Sequence, residues 1–131
     1  MGTRKEYLRT VFNAGTAQVI QALSTASTGT PITNYGVTTL VSNTSDVADK
    51  AYKLAAPVKG IEKTLIIRSN STTVITVRSV STGVVFFPTT GNLITATSGA
   101  KAFISLVGLS ATEWGIVSRS TGLTVAGSTL D

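Results

Sequence analysis

From Val37 onward, apolar and polar residues alternate along most of the chain, with short interruptions rich in Ser, Thr, Asn and Gly. Alternate side chains of a strand share one side of a sheet, so this period puts Leu65 with Ile67, Ile75 with Val77, and Ala102 with Ile104 and Leu106. Trp114 falls with Ile116, while Glu113 and Arg119 are assigned to the solvated face of the same strand. The pattern predicts nine strands: 37–42, 52–55, 64–68, 73–80, 84–87, 93–97, 102–107, 113–119 and 123–126. Turn clusters such as Ser81-Thr82-Gly83, Pro88-Thr89-Thr90-Gly91-Asn92 and Ser120-Thr121-Gly122 separate them. Short strands at roughly 8–12-residue spacing argue for an antiparallel sandwich or barrel. No repeat of fixed period stands out, which argues against a propeller or a β-helix.

The first 36 residues have a different texture. A charged, amphipathic start from Arg4 to Phe12 leads to Val19-Ile20-Gln21-Ala22-Leu23, then to a Ser/Thr/Gly stretch closed by Pro31. Small polar residues ending in proline read as a linker. Two short helix candidates remain, over 14–23 and near 46–53. The expected fold is therefore all-β: one antiparallel, jelly-roll-like β-sandwich with an extended N-terminal arm. Residues 1–36 would be arm and linker, and 37–131 the sandwich.

At 131 residues with 42% hydrophobic content, the chain is long enough for one domain with its own core and too apolar for a disordered segment. No apolar run approaches the ~20 residues that span a bilayer, and no apolar stretch follows Arg4-Lys5-Glu6 as a secretory signal would require. A membrane role is thus not expected.

The chain contains no His and no Cys, and its six carboxylates are scattered. Histidine-based proton shuttling, thiolate chemistry and His/Cys metal ligation are excluded by composition, which leaves little equipment for chemistry. Asp46-Val47-Ala48-Asp49 lacks the further oxygen ligands of a calcium loop and reads as a capped turn. No Gly-x-Ser-x-Gly, Ser-x-x-Lys or phosphate-cradling pattern activates any of the many hydroxyls. Neither catalysis nor a cofactor is expected. Asn43-Thr44-Ser45 and Asn70-Ser71-Thr72 match the glycosylation acceptor pattern, as chance allows in a Ser/Thr-rich chain.

The net charge of +5 is spread over a chain with only 13% charged residues. It suits an acidic partner surface, but the basic residues are neither clustered nor interleaved with aromatics, which argues against nucleic acid. Phe86 and Phe87 point to opposite faces of their strand, making one of them a candidate subunit contact. Trp114 and Ile116 are assigned to the core; an exposed Trp would instead serve a glycan or an interface.

The stretch from Thr64 to Val125 resembles small structural proteins of tailed-bacteriophage virions. The resemblance rests on Lys63-Thr64-Leu65-Ile66-Ile67, Phe86-Phe87-Pro88-Thr89-Thr90-Gly91-Asn92-Leu93-Ile94 and Leu109-Ser110-Ala111-Thr112-Glu113-Trp114-Gly115-Ile116-Val117, followed by Gly122-Leu123-Thr124-Val125. The ending looks like those of capsid decoration (cement) proteins. It covers about half the chain. It implies a homotrimeric β-subunit on the capsid exterior, made in the host cytoplasm, that clamps neighbouring major capsid proteins without catalysis. A tail, fibre or receptor-binding module is the alternative among virion proteins, and a stand-alone glycan- or nucleic-acid-binding barrel the alternative outside them. Within this reading the arm is the docking element: Arg4, Lys5 and Arg9 supply charge, and Tyr7, Leu8, Val11 and Phe12 supply apolar anchors.

Overall fold

Among the described residues eleven strands form, and the chain crosses from one sheet to the other at almost every connection. The computed structural model describes residues 18–20 (backbone only), 29–42, 49–70 and 72–127. In chain order the strands are β1 (Gln18–Ile20), β2 (Thr30–Ile32), β3 (Gly36–Val41), β4 (Lys50–Leu54), β5 (Glu62–Arg68) and β6 (Ile75–Arg78). They continue with β7 (Val85–Phe87), β8 (Leu93–Ala96), β9 (Lys101–Ser110), β10 (Glu113–Arg119) and β11 (Leu123–Ala126). Sheet A has the order β1-β3-β5-β9-β10-β7, and sheet B the order β11-β8-β6-β4-β2.

All nine expected strands are present, but the sheets are mixed rather than antiparallel throughout. The pairs β1/β3, β3/β5, β2/β4, β4/β6 and β7/β10 are parallel, while β5/β9, β9/β10, β6/β8 and β8/β11 are antiparallel. The reason is the alternation between sheets. After visiting sheet B, the chain re-enters sheet A beside the strand it left, running the same way. The first six strands thus wind as a two-sheeted parallel coil, and β8 to β11 close it in antiparallel fashion. The coil has no fixed period: Gln18 pairs with Thr38, Thr30 with Tyr52, Gly36 with Lys63 and Lys50 with Ile75, so successive turns take 20, 22, 27 and 25 residues. The connections absorb the differences, which hides the winding from a search for repeats.

The sheets also begin before Val37. β1 and β2 lie in the stretch expected to be arm and linker, and the helix candidates over 14–23 and 46–53 are replaced by β1 and the start of β4 where those residues are described. Ile32 on β2 is 2% exposed and belongs to the core, so its strand is part of the sandwich. Pro31 beside it is exposed, and β2 is an edge strand, where a missing N–H costs no ladder bond.

Between the sheets lie Ile32, Leu40, Tyr52, Leu54, Leu65, Ile67, Ile75, Val77, Phe86, Ile94, Ile104, Leu106 and Trp114, all buried, with Ile116 packed against them. Each large apolar side chain contributes about 1.5–3 kcal/mol on burial, before ordering costs. Gly108 on β9 allows a close backbone approach: a Cβ there would lie 2.0 Å from the Val58 carbonyl oxygen. That contact is tied by Gly60 N donating to Gly108 O at 2.8 Å and Gly108 N donating to Ile61 O at 2.9 Å.

Candidate functional site

One cluster resembles reaction machinery. Lys63 sits on β5 with its side chain turned inward, and Nζ donates to Thr33 Oγ1 at 3.1 Å, to the Tyr35 carbonyl at 3.0 Å and to Thr38 Oγ1. Burial lowers its pKa from 10.5 to about 8. An amine with a lowered pKa beside hydroxyls is how a lysine activates a nucleophile. Here, however, Lys63 and Thr38 are both fully buried, and three acceptors engage the three ammonium protons. No substrate reaches either group. The cluster is a clasp that ties the segment 33–35 and Thr38 of β3 to β5. Among the described residues no three His, Cys, Asp or Glu side chains gather into a metal-sized group.

The accessible feature is the outward side of sheet A. On its two central strands, register sets Arg68 opposite Lys101, Ile66 opposite Phe103, Thr64 opposite Ser105, and Glu62 opposite Val107. β3 adds Val37, Thr39 and Val41 beside Thr64, Ile66 and Arg68, each half-buried. Ile66 and Phe103 are 36% and 42% exposed, and Val117, at the bulge of β10, is 66% exposed. Two shallow depressions mark this side: one lined by Ile66, Arg68, Lys101 and Phe103, the other by Glu62, Thr64, Ser105, Val107, Val117 and Ser118. Thr64 Oγ1 and Ser105 Oγ lie 3.2 Å apart between them. The result is a patterned surface with an apolar ridge, a hydroxyl floor and charge at both ends. Such a surface offers both apolar area and charge to a partner.

The residues singled out in the sequence distribute as follows. Arg4, Lys5, Tyr7, Leu8, Arg9, Val11 and Phe12 lie outside the described residues, as does Asp46. Asp49 Oδ1 accepts from Val74 N at 3.0 Å and so caps the approach to β6. Asn70 Oδ1 accepts from Thr72 N at 2.9 Å, an Asx turn. Phe86 is fully buried and Phe87 is 51% exposed on edge strand β7. Trp114 is fully buried, with no hydrogen-bond partner for Nε1, so its ring offers no platform to a glycan. Sequence reasoning missed Lys63, Arg68 and Lys101 as a set. Their shared signal was a cation at the inward position of one strand and two cations at outward positions of strands whose pairing is not local. Compared with known proteins, the chain matches no family model, and neither a curated protein nor a solved structure shows significant similarity.

Proposed function

We propose that this protein is a structural subunit of a bacteriophage virion, seated on the capsid exterior, where it bridges major capsid proteins and catalyses nothing. The observation that carries the reading is the route of the chain at the open end of the coil. β1 is the outermost strand of sheet A, and the arm residues Arg4 to Phe12 lie directly upstream of it. An arm entering at a sheet edge can extend to a neighbouring protein while the sandwich stays intact, and extended segments of this kind gain affinity from main-chain hydrogen bonds. The sealed Lys63 clasp and the open, patterned side of sheet A both favour binding over reaction. The resemblance of Thr64–Val125 to decoration proteins supplies the class of partner.

The test is cosedimentation of the purified chain with virions stripped of it. Recovery on the particles, with a raised temperature of shell rupture, supports the reading. A chain left in the supernatant at saturating concentration contradicts it.

A further inference from the structure

We infer that the outward side of sheet A is a self-complementary surface on which two copies of this chain pair about a twofold axis. The inference stands apart from the virion reading and starts from the register of β5 and β9. Along these strands the outward rows run from Glu62 with Val107, through Thr64 with Ser105 and Ile66 with Phe103, to Arg68 with Lys101. A twofold axis lying in the interface, perpendicular to the strands and over the Leu65–Ile104 row, turns this order end for end. It sets Ile66 and Phe103 of one copy over Thr64 and Ser105 of the second. The ridge of one copy then enters the depression lined by Thr64, Ser105, Val117 and Ser118 in the other, reciprocally. The same operation sets Arg68 of each copy over Glu62 of the other.

The charges select this axis over the other face-to-face twofold. An axis parallel to the strands would superpose Arg68 on Lys101 and Lys101 on Arg68, gathering four cations at one end. Opposed like charges penalise that arrangement, so orientation is set by repulsion as well as attraction. Within each copy, Arg68 and Lys101 face each other across the two strands, which is unfavourable in isolation. A carboxylate arriving from a second copy relieves it.

The size of the surface sets the strength. Four strands about 4.8 Å apart and six residues at about 3.3 Å rise span roughly 20 Å by 20 Å, on the order of 400 Å² per copy. That is about half the usual area per partner, so pairing is weak and depends on concentration.

Sedimentation equilibrium of the full chain, from micromolar to millimolar concentration, tests this. The wild type should show a monomer–dimer equilibrium. Arg68→Glu and Glu62→Arg, made singly, should each weaken it by about tenfold or more. The double variant Glu62→Arg/Arg68→Glu should recover dimer formation, because the interchain pairs are restored with their signs exchanged. Emission from the buried Trp114 monitors folding in each variant, and Phe103→Ser provides a charge-independent loss of dimer. A wild type that is monomeric throughout, a trimer, or a double variant no better than the singles would overturn the assignment.

Discussion

Arg68 and Lys101 stand directly opposite each other on neighbouring strands, one row along from the exposed apolar pair Ile66 and Phe103. Two cations in that relation cost the isolated fold a few tenths to about 1 kcal/mol. Both features belong to the surface that the proposed twofold pairing would cover. The contrast with Lys63 on the same strand is instructive. Turned inward, it meets two hydroxyls and a carbonyl; Arg68, turned outward, stands in register with another cation.

Lys63 makes stability depend on pH in one direction. Burial holds its folded pKa at about 8, below the unfolded value of 10.5. Between these values the unfolded chain retains a proton that the folded chain has released, so stability rises with pH across that window. Below about pH 8 both states carry the proton and the burial penalty is fully present. Denaturant unfolding followed by Trp114 emission should show the wild type gaining stability relative to Lys63→Met from pH 8 to 10.5. A constant difference would mean that Lys63 titrates normally.

Gly108→Ala should destabilise the fold by about 1–3 kcal/mol, because the new methyl meets the Val58 backbone and no flexible side chain can yield. Gly83→Ala is the control, since its Cβ would meet nothing closer than Ser81 Oγ at 4.0 Å. Urea midpoints of the two variants should differ clearly; equal midpoints would remove the close approach from the account.

Arg78 lies at the end of β6, 5% exposed, with Nη1 lacking a hydrogen-bond partner and Lys53 directly across the strand pair. An unsatisfied buried donor costs about 1–3 kcal/mol, so Arg78→Met should raise the unfolding free energy by an amount of that order. A fall in stability would show that the guanidinium is satisfied in solution.

Truncation separates arm from sandwich. Removing residues 1–17 leaves every described strand in place and should shift Tm by no more than a few degrees. Removing 1–36 deletes β1 and β2, the core side chain of Ile32, and the Thr33 and Tyr35 oxygens that hold Lys63. Loss of the Ile32 contacts alone is worth about 2–5 kcal/mol, so Tm should drop by roughly 10 °C or more. Calorimetry of the two truncations decides the matter.

That boundary shows where sequence reasoning stopped. The strands from Val37 onward were legible because period-two burial recurs in several of them, as in Leu65/Ile67 and Ala102/Ile104/Leu106, with turn clusters between them. β1 and β2 were not, being three residues each and drawing their order from pairing with β3 and β4. Parallel pairing escaped for a related reason: alternation reports which side of a strand is buried, not which strand lies beside it. The surface rows suffered most, because Arg68 and Lys101 are neighbours only through the β5/β9 register. The core assignment of Trp114 needed nothing beyond its own strand.

The proposed seat on a phage capsid can be seen by cryo-electron microscopy of purified virions that carry the chain. Density for the sandwich should lie on the outer shell, joined to the major capsid protein by a segment that fits Arg4 to Phe12. Virions made with the Phe12→Ala chain should lose occupancy more than those made with Lys5→Ala, since burying an apolar anchor contributes about 1.5–3 kcal/mol and an exposed ion pair at most about 1 kcal/mol. Density confined to the tail, or particles from which the chain is absent, would contradict the claim.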